Sequence, residues 1–195
     1  ALARKNIKLF EAQGAKAPVV ADCSSCAAFL KSYPQLFLED PDWRTRAEAF
    51  SRAVKDAVEV LGDAAPSLAQ LEESKTVTYH DSCRARHGQG LFSQPRLVLR
   101  QVGGDCYQEL READVCCGGA GAFSFVNPEL SDEVLRRKID NIKATQARRV
   151  VTSSTSCLIQ LDLGLSKYYP ECEVVHLSEL VAQTLLEEHG KKTGA

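Results

Sequence analysis

VVTSSTSCLIQL, residues 150–161, is a β-branched run that ends in a small polar turn and delivers Cys157 to the start of a helix. VVADCSSCAAFL, residues 19–30, aligns on it without gaps. The two share five of twelve positions: both valines, a Ser-Cys pair and the final leucine. A basic amphipathic helix precedes each copy, so the pattern reads as an internal duplication of one strand–turn–helix unit. At such a turn the positive end of the helix dipole favours a thiolate, at Cys26 in one copy and Cys157 in the other.

Working outward, β-branched runs predict strands at Pro18 to Ala21, Thr76 to His80, Arg149 to Thr152 and Glu173 to Leu177. Period-3.6 patterns predict helices near Leu2 to Phe10, Arg44 to Leu61, Gln94 to Val102, Ser131 to Thr145 and Ser178 to Glu188. In the second of these, Ala47, Phe50, Val54, Ala57, Val58 and Leu61 form one apolar stripe. Strands alternating with helices predict an α/β layered domain with a mostly parallel sheet. Ligands of such sheets bind beyond the carboxyl ends of the strands, where most of the cysteines fall.

Composition narrows the function classes. The 195 residues are 44% hydrophobic, enough for an ordinary core, and 24 basic against 26 acidic side chains leave a formal charge of −2 with no cationic face for nucleic acid. No apolar run is long enough to span a bilayer and the N-terminus lacks a signal-peptide core, which places the expected site of action in the cytoplasm, held near the membrane only through partners. Eight cysteines in that compartment point to metal or redox chemistry and away from a disulfide framework.

The strongest local signal is DVCCGGAGAF, beginning at Asp114. Adjacent Cα atoms lie about 3.8 Å apart, under the ~4.4 Å that disulfides need, so Cys116 and Cys117 do not bridge each other. A polynuclear cluster accounts for two thiols in a glycine-rich turn, because neighbouring sulfurs can ligate different irons. Gly118, Gly119 and Gly121 would let backbone N–H groups approach sulfide and thiolate. Cys83, after the strand in VTYHDSC, and Cys157 complete a four-thiolate set spaced C-x32-C-C-x39-C. That set predicts a [4Fe-4S] cluster, with zinc as the alternative occupant.

At these residues the sequence resembles the cysteine-rich CCG domain found in heterodisulfide reductases, glycolate oxidase iron-sulfur subunits and the lactate-utilization iron-sulfur protein. The stretch SSCAAFLKSYPQLFLEDPDW from Ser24 is most similar to the last two. The resemblance covers nearly the whole chain. It implies a Rossmann-like fold in which residues 1–72 are the end of a first repeat with connecting helices and residues 73–195 a complete CCG domain. By the same resemblance the chain is the C-terminal portion of an iron-sulfur subunit that passes electrons from a partner flavoprotein to another acceptor, in oxidation of a 2-hydroxy acid such as lactate or glycolate. One departure matters: Ser154 stands where the family's last C-x-x-C has its first cysteine. Members with all five cysteines can hold noncubane clusters that act on disulfides; four fit an ordinary cubane better.

Cys23 and Cys26 form a C-x-x-C readable as a redox pair, a zinc half-site, or half of a first cluster site. On the last reading, partners equivalent to Cys83 and the Cys116-Cys117 pair would precede Ala1, since Cys83 lies 74 residues before Cys157 while only 25 residues precede Cys26. His80 is expected beside the cluster as a hydrogen-bonding group or as a structural strand-end histidine. Cys106 and Cys172 stand outside any motif and are expected to be structural. His87, His176 and His189 show no ligand spacing. No flavin fingerprint or phosphate loop is present, so hydride chemistry is expected elsewhere.

Overall fold

A computed structural model describes residues 1–70 and 75–193. Its first half runs α1 (Leu2–Ala12), β1 (Val19–Ala21), α2 (Ser24–Lys31), α3 (Pro41–Ala53), β2 (Val54–Asp56) and α4 (Ala57–Ala64). The second half runs β3 (Val77–Tyr79), α5 (Cys83–Gln89), α6 (Ser93–Gly103), β4 (Tyr107–Gln108), α7 (Phe123–Val126), α8 (Pro128–Ala144), β5 (Arg149–Thr152), α9 (Thr155–Tyr168), β6 (Glu173–His176) and α10 (Leu177–Thr193). All strand pairings among the described residues are parallel, as expected of alternating strands and helices. One sheet is β1-β2 and the other β4-β3-β5-β6. None of the described helices is long and apolar enough to cross a membrane.

The order of the larger sheet positions the site. After β4 pairs on one side of β3, the chain crosses to place β5 on the other, so the loops leaving β3, β4 and β5 splay around one crevice. β5 is buried along its whole length. Its two valines alternate between two cores: Val151 joins Tyr79, Val98, Leu99 and Leu180, while Val150 joins Leu135, Ile139, Leu161, Cys117 and Cys157. The thiols are thus built into a packed apolar layer under α8 and α9.

The helix predicted over residues 44–61 is interrupted. Its apolar stripe correctly picks out buried side chains, Ala47, Phe50, Val54 and Val58. At Val54, however, the chain turns extended and pairs in register with Val19 of β1. The physical reason lies in two residues. Val54 is β-branched and finds ladder partners, and Asp56 competes for the backbone, accepting from Val58 N–H at 3.0 Å while Glu59 accepts from Asp56 N–H at 2.9 Å. This capping box starts α4 as a new helix. A third core, Ile7, Tyr33, Phe37, Ala47, Phe50 and Val54, holds the first half together, with Tyr33 stacked on Phe50 at 5.3 Å between ring centres.

Candidate metal centre

Three loops bring the chemistry together. The loop after β3 carries His80 and leads to Cys83; the loop after β4 carries Cys116 and Cys117; the turn after β5 leads to Cys157. Among the described residues, the ligating atoms of His80, Cys117 and Cys157 lie within 4.8 Å of one another, and all three side chains are buried. Cys116 hydrogen-bonds Cys117, which in turn contacts Cys157. Three of the four expected thiols therefore meet, joined by an imidazole. Cys83 is the first residue of α5, half-buried, and stands outside that close group.

The electrostatics suit a bound cation. The hydrogen bond with Cys117, and then burial, push the Cys116 thiol far above its ordinary value. At Cys117 the hydrogen bond with Cys116 works to lower the value, but the Cys157 contact and burial prevail and push it up to about 12. Packed together with only the Lys138 ammonium nearby to offset them, these thiols keep their protons. A metal ion reverses that balance, because coordinated sulfur is thiolate. His80 is held neutral, at about 3, by burial and then by the ammonium of Lys138. Its Nδ1 has no hydrogen-bond partner among the described residues although it is buried. An orphaned imidazole nitrogen beside clustered thiols is the donor set of a metal or iron–sulfur site.

The tandem-cysteine turn is held from both sides. Gly118 N–H donates to Cys116 Sγ at 3.3 Å, Ser131 donates to the Gly118 carbonyl at 3.0 Å, and Gln160 donates to Ser131 Oγ at 3.1 Å. Gly118 has φ +88°, and a Cβ there would stand 2.6 Å from the Ser131 carbonyl oxygen. Gly118→Ala is accordingly expected to cost about 1–3 kcal/mol in backbone strain alone, with the clash added to it. The control is Gly14→Ala, which shares the positive φ but has open space around the new methyl. A larger fall in melting temperature at Gly118 than at Gly14, together with reduced metal uptake, checks the expectation; equal behaviour of the two would show that the turn tolerates a side chain. Gly119 is also close-packed, its Cβ position being 3.2 Å from Gln160 Cβ.

Two supporting charges carry no motif in the sequence. Lys138 on α8 is buried, its ammonium donating to the Glu112 and Ala113 carbonyls of the loop that leads to Cys116. Burial lowers it to about 8. Its place in the stripe Leu135, Ile139, Ile142 was the available signal, since a lysine in line with core residues points inward. Arg96 is buried against Asp81, with two hydrogen bonds of 3.0 and 2.9 Å.

Cys23 and Cys26 lie apart from this group. Cys23 precedes α2 and Cys26 is exposed. The Cys23 sulfur sits 3.8 Å from Ser154 Oγ, the residue that aligns with it in the repeat, and Ser24 N–H donates to the Ser153 carbonyl at 2.9 Å. Burial opposes ionisation of Cys23, but N–H groups of Cys26 and Thr155 and the hydroxyls of Thr155 and Ser154 outweigh it and lower the thiol to about 7. Burial, then the neighbouring Cys23, raises Cys26. Alkylation of Cys23 is therefore expected to reach half its maximal rate near pH 7, falling below that pH as the thiolate is protonated. Peptide mapping after a short iodoacetamide pulse measures this; a midpoint at the ordinary thiol value would contradict it. Cys172 is buried and its thiol pushed up to about 12 by that burial, consistent with a structural role, and Cys106 is half-buried in a short turn.

The same segment is recognisable in known proteins. The profile of the CCG cysteine-rich domain matches residues 77–162, from β3 through Cys157 into α9. Over 98% of its length the chain is 38% identical to the probable glycolate oxidase iron-sulfur subunit of Bacillus subtilis, spanning 43% of that protein. It is 31% identical to lactate utilization protein A of Oceanobacillus iheyensis, with 84% of this chain and 67% of that one aligned. For lactate utilization protein A of Exiguobacterium the figures are 30% identity, 92% and 74%. The tandem cysteines, the glycine turn behind them and the crevice they share with β3 and β5 are thus those of a known domain: the chain belongs to the CCG cysteine-rich domain family.

Proposed function

We propose that this chain is an iron–sulfur electron-transfer domain of a multisubunit oxidoreductase, holding one [4Fe-4S] cluster on Cys83, Cys116, Cys117 and Cys157. The observation that carries the reading is the meeting of Cys116, Cys117 and Cys157 with His80, whose Nδ1 is buried and has no partner among the described residues. Cys83, the first residue of α5, would complete the set. Such a cluster would supply one-electron transfer when bound. The chain's own residues would hold it, exclude water through the apolar layer of Leu135, Ile139 and Leu161, and offset its negative charge with Lys138. His80, neutral and buried, would hydrogen-bond the cluster, and Gly118 and Gly119 would let the backbone close over it.

Residues 73–195 would then be a complete CCG domain and residues 1–72 the end of a preceding one, in which Cys23 and Cys26 form an incomplete site. The names of the relatives, a glycolate oxidase subunit and a lactate utilization protein, support a parent complex that acts on glycolate or lactate; a flavoprotein or other oxidoreductase subunits on the cytoplasmic side would be its partners. Zinc in the same thiols is the competing occupant, and disulfide reduction is disfavoured by Ser154.

Iron, sulfide and zinc analysis of anaerobically reconstituted protein tests this. About four irons and four sulfides per chain are expected. One zinc without sulfide would replace the electron-transfer reading with that of a structural assembly module.

A further inference from the structure

Five buried side-chain atoms among the described residues have no hydrogen-bond partner. Two belong to side chains otherwise engaged: Arg86 has Asp81 and Asp114 at 3.7 and 3.6 Å, and Gln89 donates from its amide nitrogen to Ser24 and Asp56. The other three, His80 Nδ1, Ser82 Oγ and Thr152 Oγ1, are in residues no more than 1% exposed. All three stand where β3 and β5 end, on the side of the sheet from which the cysteine-bearing loops leave. A buried polar atom without a partner is costly, so three at one place require a cause.

The strand ladder fixes which way Thr152 points. Thr78 and Tyr79 of β3 pair with Val150 and Val151 of β5, and His80 N–H continues the ladder by donating to the Val151 carbonyl at 2.9 Å. Val150 packs in the layer that holds Cys117 and Cys157, so Thr152, two residues on, faces the same side. Abreast of it there is His80, whose ring lies beside both thiols. Ser82 immediately precedes Cys83 at the N-cap of α5, where a serine ordinarily accepts a backbone N–H of the first turn; its side chain makes no such bond. Neighbouring hydroxyls do find partners within the protein. Thr78 donates to the Gln108 carbonyl at 2.8 Å, and Tyr79 donates to Ser153 Oγ at 3.1 Å. Ser82 and Thr152 are the hydroxyls left over, one on each segment leading to Cys83 and to Cys157.

We propose that the hydroxyls of Ser82 and Thr152 donate hydrogen bonds to sulfur of the bound cluster and raise its reduction potential. This rests on the [4Fe-4S] reading above. Sulfide and thiolate accept hydrogen bonds, and an added electron makes the cluster more negative. A donor aimed at sulfur therefore favours the reduced form over the oxidised one. The same bonds couple loading to the fold, because the unloaded chain carries the penalty of two unpaired hydroxyls and the loaded chain does not.

Thr152→Val keeps the shape of the side chain and removes the donor, whereas Thr152→Ser keeps the donor. In redox titrations of anaerobically reconstituted protein, Thr152→Val and Ser82→Ala should have a lower potential at wild-type iron content, and Thr152→Ser should stay close to wild type. Thr78→Val removes a hydroxyl that is already partnered and should leave the potential unchanged. Without the cluster, Thr152→Val should melt above wild type, since an unpaired buried hydroxyl is gone; with the cluster, that advantage should disappear. Wild-type potentials in both Thr152→Val and Ser82→Ala would overturn the proposal. So would an unloaded Thr152→Val that melts below wild type, because the hydroxyl would then serve the protein alone; this measurement decides even if the variant loads poorly. Zinc without sulfide in the wild type would remove the cluster reading and the proposal with it, a failure that metal analysis reports separately from the potentials.

Discussion

Cys117→Ser protein, reconstituted anaerobically beside the wild type, is expected to emerge colourless, with iron and sulfide at background. Cys117 is the central thiol of the group: it contacts both Cys116 and Cys157 and is 2% exposed. A serine hydroxyl there would have to ionise in an apolar layer to replace it, far from its ordinary range, and the packed surroundings leave water no way to substitute. Loss of one of four ligands removes the binding energy that couples the metal to the fold, so the variant should also melt below loaded wild type and close to the unloaded protein. Cys83→Ser and Cys116→Ser should behave alike, while Cys106→Ser and Cys172→Ser should keep a normal spectrum. His80→Asn separates the two candidates for the fourth position. With Cys83 as ligand, this variant keeps its four irons and changes only the reduction potential. If instead His80→Asn loses the cluster and Cys83→Ser keeps it, the imidazole is the ligand. A normal cluster in Cys117→Ser would refute the site altogether.

The fold class and the thiols could be read in the sequence because both are carried by local pattern. The β-branched runs at residues 150–151 and 174–175 mark parallel strands, the first buried throughout and the second at the sheet's edge, and a tandem cysteine before glycines fits little besides a metal or cluster site. The break at Val54 could not be read this way. Helical and extended backbones bury the same valine, and only the non-local pairing with Val19 decides between them. β4, two residues long, falls below any periodicity. The close approach of His80 to Cys117 and Cys157 depends on which strands are neighbours, so the sequence could place His80 near the site without showing that its Nδ1 would be left unpartnered. Arg96, and Lys138 apart from its place in the stripe of Leu135, Ile139 and Ile142, escaped for a different reason. Charged residues on amphipathic helices are usually solvated, and their burial depends on loop carbonyls and a carboxylate contributed from far along the chain.

Arg96 also sets the second large effect, through the loop that leads from β3 to Cys83. Its guanidinium binds Asp81 twice, bonds Glu109 and lies over the Phe92 ring. Asp81 is 2% exposed, and its backbone N–H donates to the Ala113 carbonyl at 3.0 Å, tying the β3 loop to the loop that leads to Cys116. Arg96→Met keeps much of the side chain's bulk but leaves a buried carboxylate whose other cation, Arg86, stands 3.7 Å away. Breaking a buried pair from one side costs about 3–5 kcal/mol, because the remaining charge is desolvated without compensation. For a chain of this size that is a fall of roughly 10 °C in melting temperature. Removing both charges, as Asp81→Asn/Arg96→Met, should recover most of it, since the penalty belongs to the stranded carboxylate. Iron loading should follow the same order, lowest in Arg96→Met and higher in the double variant, because both cysteine-bearing loops are held through Asp81. A single variant that melts within about 2 °C of wild type would mean that Arg86 closes on Asp81 and that the two loops do not depend on Arg96.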